Sequence, residues 1–316
     1  MNIGIYGYGN LGRAVELCAR DRGINVVGIF TRRDPDSVRA YRAPVYSRES
    51  ALDFKRRIDC MLMCGGSYTD LRHDTPLMTE HFNTVDSFDI HSEISQHLSL
   101  VGERALTSGH VAIVSAGWDP GLLSLFRTVF YSCMTRACIS TFWGRGVSQG
   151  HSQAIRRIEG VRRAVEYTVP ISEAVILARS GRVLPDTERH RRECYVVAKE
   201  GFESEIERQI RSMPGYFEGY RTDVRFISEE EFVRDHVSMP HRGECIAFST
   251  SGRYGEHINR AELSLELGSN PEFTASVMLA YAVAATALFS ESRFGAYTVQ
   301  DIAPRYLSYT DTAHLI

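Results

Sequence analysis

Residues 3–12, Ile3-Gly4-Ile5-Tyr6-Gly7-Tyr8-Gly9-Asn10-Leu11-Gly12, decide the fold. A short apolar run stops at glycines spaced Gly-x-Gly-x-x-Gly. A helical stretch then continues through Ala19, and a second apolar run, Ile24 to Phe30, follows. Gly7 permits a tight turn, Gly9 lets backbone approach a pyrophosphate, and Gly12 lets helix and strand pack closely. The helix N-terminus then stabilises the anion. The order predicts a βαβ unit of a dinucleotide-binding domain. Of three further apolar runs, Asp59 to Met63 leads into Cys64-Gly65-Gly66-Ser67, while Thr84 to Asp89 and His110 to Ser115 end in Asp and Ser. That pattern suits a parallel sheet whose functional loops follow the strand C-termini.

Beyond Gly117-Trp118-Asp119-Pro120-Gly121 the texture changes. Cys194 to Val197, Val224 to Ile227 and the alternating Ala261 to Leu267 read as strands of a second sheet. Glu203 to Met213 reads as a charged amphipathic helix, and Phe273 to Phe289 as an apolar one. The expected class is α/β: a Rossmann-like domain over residues 1–120, to which 268–316 returns, and an α+β domain over 121–267. The second is expected to carry a mixed or antiparallel sheet, substrate contacts and a dimer interface.

At 316 residues the chain is long enough for two domains. A net charge of −3 offers no basic excess to neutralise a phosphate backbone, so nucleic-acid binding is not expected. No apolar run is read as long enough to span a bilayer, and Phe273 to Phe289 is read as too short and too mixed. The first residues lack a charged segment ahead of an apolar one, so a cytoplasmic protein is expected. Seven scattered cysteines without a CxxC pair argue for free thiols rather than disulfides or zinc, and no metal is expected. Lysine occurs only at 55 and 199, neither in a motif, which disfavours catalytic-lysine chemistry.

The second strand ends in Phe30-Thr31-Arg32-Arg33, where an NAD site would place a carboxylate for the ribose hydroxyls. A hydroxyl and two guanidiniums suit a 2′-phosphate instead, so NADP is expected. A solvated basic turn is the plainer reading, and Asp34 and Asp36 keep it open. Cys64, Gly65, Gly66 and Ser67 follow another strand and would allow close approach of the nicotinamide half, or form only a turn.

GYGNLGR, FTRRD, CGGSYTD, VDSFDIH, AGWDPG, FWGRGVSQGHS, RRIEGVRRAVEYT, HRRECYVV, MPHRGE and SNPEFTASV occur in this order. Together they resemble the meso-diaminopimelate dehydrogenase family from Asn2 to about Ser308. The resemblance implies an NADP-dependent enzyme that oxidatively deaminates the D-centre of meso-2,6-diaminopimelate to L-2-amino-6-oxopimelate and ammonia. In reverse it would make meso-diaminopimelate for lysine and peptidoglycan synthesis. It implies a homodimer. It implies cofactor contacts from Tyr8, Gly9, Asn10 and Leu11 beside Gly7 and Gly12, from Thr31, Arg32 and Arg33, and from Cys64, Gly65, Gly66 and Ser67. Further cofactor contacts would come from Ser87, Phe88 and Asp89, and from Ala116, Gly117, Trp118, Asp119 and Pro120. The implied substrate contacts are Asp89, Asp119, Trp143, Gln149, Gly150, Thr168, Arg192, His241 and Asn270. Arg242, Gly268, Phe126 and Tyr68 depart from the family pattern and bear on pocket shape.

The chemistry fits those residue types. An ammonium must lose a proton before its carbon can release a hydride, so a base is needed near the amine. Asp89 or Asp119 is the candidate catalytic residue; as plain turn residues, one would cap and the other precede proline. Thr168, Arg192 and His241 suit a carboxylate clamp. Trp143, in a stretch that reads as a loop, would wall the pocket or merely pack. Most of Arg189-His190-Arg191-Arg192-Glu193 reads as a solvated face, and Asn270 reads equally as a helix cap. The rival readings are a related NADP oxidoreductase, of broader D-amino acid or dihydrodipicolinate-reductase-like specificity, and a non-enzymatic NADPH sensor. A semialdehyde dehydrogenase would need Cys64 as nucleophile, and no histidine partner is evident.

Overall fold

The structure, a computed structural model, describes residues 1–308. The chain forms two compact units. One is Met1–Leu125 together with the segment from Pro271 on; the other is Phe126–Asn270.

The first unit runs β1 (Asn2–Tyr6), α1 (Asn10–Asp21), β2 (Asn25–Thr31), β3 (Val45–Ser47), β4 (Cys60–Met63), α2 (Arg72–Thr79), β5 (Thr84–Asp86), α3 (Ile94–Ser108) and β6 (Val111–Ile113). The unit boundary falls within α4 (Leu122–Cys133). Strands lie in the order β3-β2-β1-β4-β5-β6, and each pair is parallel. This is the doubly wound arrangement whose ligand crevice opens where the strand order reverses, beside the C-terminal ends of β1 and β4. All four residues of β4 are buried, as expected of a central strand covered on both faces. Gly7 adopts φ +98°, in the left-handed region that glycine tolerates. A Cβ on Gly12 would collide with the Gly7 carbonyl oxygen, so only glycine lets α1 start this close to β1.

The second unit contains β7 (Cys138–Trp143), β8 (Gly146–Val147), α5 (Gln149–Arg156), β9 (Val161–Pro170), α6 (Ser172–Arg179), α7 (Asp186–Arg189) and β10 (His190–Ala198). It continues with α8 (Glu203–Arg211), β11 (Arg221–Phe226), α9 (Glu229–Asp235), β12 (His241–Ser251) and β13 (His257–Leu267). These strands make two sheets. One is mixed, β11-β10-β9-β8, with β10 and β11 parallel; the other is antiparallel, β13-β12-β7. The amphipathic α8 buries Ile206 and Ile210 against Cys194 and Val196 of β10.

Three expectations change. The segment from Trp143 to Gly150 is not one loop: Trp143 closes β7, Gly146–Val147 is a short strand, and Gln149 and Gly150 begin α5. The basic run at 189–193 is not mainly solvated, because His190, Arg192 and Glu193 are buried in a strand flanked on both sides. The apolar helix is also longer than predicted. As α10 (Asn270–Ser290) it has the length and composition to cross a membrane. Packing decides otherwise, since Ala275, Met278, Leu279, Ala282, Ala285 and Leu288 join the core formed by Ile3, Ile5 and Leu62. The chain then adds β14 (Gly295–Tyr297) parallel to β6.

Candidate active site

In the first unit, the loops after β1, β2, β4, β5 and β6 carry the expected cofactor residues. Gly9 precedes α1 in extended conformation, and a Cβ there would meet open space. The first turn of α1 holds no acidic residue, so no carboxylate opposes an anion at the helix start. Tyr8 is buried, and its hydroxyl bonds Glu16, so its side chain is committed to the interior. Its carbonyl accepts from Arg33 Nη2 at 2.5 Å. Thr31 is buried, and its hydroxyl oxygen accepts the Arg33 N–H at 3.2 Å. Arg32 is exposed and pairs with Asp70 at 2.9 Å. Glycine backbone, a helix start without a carboxylate and two guanidiniums just past a β2 that carries no carboxylate are a donor set that fits a 2′-phosphorylated dinucleotide.

Asp70 was not singled out in the sequence. It is buried and accepts from Gly66 N and the Thr69 hydroxyl, each at 3.0 Å, so it shapes the loop after β4 while holding Arg32. Cys64 is buried, and burial pushes its thiol well up from the ordinary value, which makes it a poor nucleophile. The Asp89 N–H donates to Ser67 Oγ at 3.1 Å, so this loop and the one after β5 are tied together.

Asp86 was read only as part of a strand, yet it organises the next two loops. Its fully buried carboxylate accepts from Phe88 N at 3.1 Å and Ser115 N at 2.8 Å, and pairs with His97 Nε2 at 2.6 Å. Its carbonyl accepts from Ala116 N at 2.8 Å. Phe88 is fully buried and stacks on His97, which leaves its backbone for any cofactor contact. Asp89 is thereby exposed at the loop tip, while Ser87 is half-buried. Ala116, Gly117, Trp118 and Pro120 are buried; Asp119 is half-buried, with a cis bond to Pro120. Asp89 and Asp119 thus follow neighbouring strands, β5 and β6.

In the second unit, Thr168 of β9 and Arg192 of β10 are direct cross-strand partners. Arg192 Nη1 donates to Thr168 Oγ1, and the guanidinium lies 4.3 Å over the Tyr220 ring. Both side chains are buried. Beneath them Glu166, also buried, has Oε1 3.6 Å from Arg192 Nη1. Gly144 adopts φ +109°, and a Cβ there would strike the Thr168 carbonyl, so this glycine brings the segment after Trp143 against β9. The Trp143 ring stacks on His190 at 5.3 Å, and the Trp143 backbone N–H donates to His190 Nε2 at 3.0 Å. Burial pushes His190 down to about 3, so it is neutral and accepts. His151 is likewise pushed down to about 3 by burial and bonds the Ser148 hydroxyl at 2.7 Å.

His241 opens β12, buried, with the Gly146 backbone against its ring and Nδ1 2.9 Å from the Arg242 carbonyl. A carbonyl only accepts, so Nδ1 carries the proton; a donor at Nε2 then requires the imidazolium. Gln149 Nε2 lies 3.0 Å from Met239 Sδ, and Asn270 N donates to the Met239 carbonyl at 3.0 Å. Met239, which opens MPHRGE but is not among the expected contacts, therefore joins two expected substrate residues. Gly150 is exposed at the start of α5.

The topology of the first unit and its glycine turn are those of nicotinamide-dinucleotide oxidoreductases. Comparison narrows the class. The family model described as diaminopimelic acid dehydrogenase C-terminal domain matches residues 117–269. A meso-diaminopimelate D-dehydrogenase of Lysinibacillus sphaericus is 46% identical over 320 residues, covering 100% of this chain and 98% of that protein. The solved Corynebacterium glutamicum diaminopimelate dehydrogenase in complex with diaminopimelate superposes with a TM-score of 0.94 at 39% identity, covering 100% and 98% of the two chains. An engineered D-amino acid dehydrogenase bound to NADP+ gives 0.90 at 37% identity, again covering 100% and 98%. The chain belongs to the meso-diaminopimelate D-dehydrogenase family.

Proposed function

We propose that this protein catalyses the reversible, NADP-dependent oxidative deamination of the D-centre of meso-2,6-diaminopimelate, giving L-2-amino-6-oxopimelate and ammonia. The observation that carries the reading is the full-length relatedness to proteins of that name. The donor set that fits a 2′-phosphate supports it.

Bound NADP+ would supply the hydride acceptor for the D-centre carbon. Gly7 to Gly12 hold its pyrophosphate, and Thr31, Arg32 and Arg33 its 2′-phosphate. The small-residue loop at Cys64 to Ser67 and the backbone of Ser87 to Asp89 and Ala116 to Pro120 line the rest. The protein's acid–base work falls to Asp89 and Asp119. One of them takes a proton from the D-centre ammonium, freeing the lone pair that forms the C=N bond as the C–H bond breaks. That carboxylate, once its proton has passed to solvent, or its neighbour then orients water onto the imine carbon; the proton released by the attacking water goes to the nitrogen, the C–N bond breaks, and ammonia leaves as the ketone forms. Arg192, Thr168 and His241 hold the distal carboxylate. Trp143, Gln149, Gly150 and Asn270 position the carbon chain and its polar ends. The protein works as a cytoplasmic homodimer, which light scattering of the purified enzyme checks.

Absorbance of NADPH is followed with NADP+ and each diaminopimelate stereoisomer in turn. Reduction with the meso isomer alone is expected. Reduction with many D-amino acids would replace the narrow substrate, and none with any isomer would overturn the activity.

A further inference from the structure

Glu166 has no part in the chemistry above, yet it sits directly under the carboxylate anchor. Its carboxylate is fully buried in β9. The Thr168 hydroxyl donates to Glu166 Oε1 at 3.3 Å, and Arg192 Nη1 lies 3.6 Å from the same oxygen. Oε2 is buried without a hydrogen-bond partner. An ionised carboxylate in that setting is costly, because one oxygen has lost water and gained no donor.

The groups around it are few and come from each neighbouring element. β10 supplies Arg192, Glu193 and Cys194, and Cys194 is the cross-strand partner of Glu166. α5, which packs on β9, supplies His151, held neutral, and Ser152, whose hydroxyl accepts the Glu166 N–H at 2.9 Å. The Arg192 guanidinium lies over the Tyr220 ring, and Arg211 and Asp223 bear electrostatically on the neighbouring Cys194. Burial outweighs the pull of Arg192, Glu193 adds to it, and the carboxyl is pushed up to about 8.

The consequence runs through Thr168. A hydroxyl has one proton and two acceptor positions. Arg192 Nη1 fills one acceptor position. If Glu166 is ionised, the Thr168 proton must point to it, and Arg192 is part-neutralised. If Glu166 is protonated, it donates into the second acceptor position, and the Thr168 O–H turns free to donate elsewhere.

We propose that Glu166 is a positioning residue that gates the anchor by its own protonation: protonated, it leaves the Thr168 proton and the Arg192 charge to a substrate carboxylate; ionised, it claims both. The inference rests on reading Thr168 and Arg192 as the substrate's carboxylate anchor.

The test compares the wild-type enzyme with Glu166→Gln, whose amide reproduces the shape and donor of the protonated acid. Initial rates with meso-diaminopimelate at saturating NADP+ are measured from pH 7 to 9. A group titrating near 8 predicts that wild-type KM for the amino acid rises about tenfold more than that of the variant. Titration of the substrate's ammonium groups is common to both proteins and cancels. KM for NADP+ follows the same course in both. Parallel amino-acid KM profiles, or a Gln variant that loses the amino acid at pH 7, overturn the proposal.

A second measurement needs no turnover. An unfolded Glu titrates near 4.5, whereas the folded one keeps its proton to about 8. The folded state then binds more protons across that window, so wild-type stability falls with rising pH. The Tm gap between variant and wild type is expected to widen from pH 5 to 8 and level off above. A constant gap overturns the proposed ionisation. Absence of diaminopimelate turnover in the wild type with a widening gap overturns the proposed activity and retains the gated Thr168–Arg192 pair.

Discussion

At the scale of single residues, the chemistry asks most of Asp89 and Asp119. They follow adjacent strands, and one is exposed where the other is half-buried. A carboxylate that moves a proton in the rate-limiting barrier is worth about 10²–10⁴-fold. Asp119→Asn is expected to lower kcat/KM for the amino acid by that order while NADPH affinity, read by fluorescence titration, stays near wild type. Near-normal turnover would pass the role to Asp89. The cofactor preference rests on other side chains. Arg32 and Arg33 already bond Asp70 and the Tyr8 carbonyl, so a bound phosphate inherits guanidiniums held in place. A charge-assisted bond is worth about 1.5–3 kcal/mol. Arg32→Ala with Arg33→Ala is expected to cut the NADP over NAD preference by at least roughly tenfold, measured as the ratio of kcat/KM values. An unchanged ratio would remove the clamp.

Among the elements, α1 carries more than the glycine turn. Glu16 on its buried side accepts from the N–H groups of Tyr41, Arg42 and Ala43, at 3.2, 2.8 and 2.9 Å, and from the Tyr8 hydroxyl. Burial alone would raise its pKa, but four donors outweigh it and hold the carboxyl below the usual range. A depressed carboxylate contributes stability that is present above its unfolded pKa and lost as pH falls through the folded one. Glu16→Gln is expected to cost about 1–3 kcal/mol at pH 7, with the gap to wild type closing as pH falls below the ordinary Glu value of 4.5 in denaturant titrations. A pH-independent gap would mean that packing, not charge, is what Glu16 supplies. The strands of the second unit show the same logic from the other side. β10 is polar by composition, yet it is central. Its Arg191 faces Glu193 and Asp223 and its Arg192 faces Glu166, so each guanidinium that enters the strand meets a carboxyl group.

For the whole molecule, binding and folding are linked. A dinucleotide present at 100 times its Kd adds about 2.7 kcal/mol to the unit that binds it. NADPH is therefore expected to raise the Tm of the first unit's transition by several degrees, and NADH at equal concentration by less, in calorimetry. Equal shifts would count against a 2′-phosphate site. Much of this architecture is legible in the chain before folding. Gly7, Gly9 and Gly12 act within one turn, the apolar runs of β1, β2 and β4 are uninterrupted, and Thr31-Arg32-Arg33 lies one residue from a strand end. Such signals are local, and backbone geometry ties them to sequence spacing. The resemblance carried Thr168, Arg192 and His241, for composition alone made Arg192 a surface charge. What local pattern could not express is which strands become neighbours. Asp70 and Asp86 matter because loops distant in sequence fold onto them, Met239 because it meets both Gln149 and Asn270, and α10 because its apolar faces find the Rossmann core rather than lipid. Glu166 is the sharpest case: its raised proton affinity comes from burial opposite Cys194, against the pull of Arg192, and burial is a property of packing that no residue possesses until the sheet has closed around it.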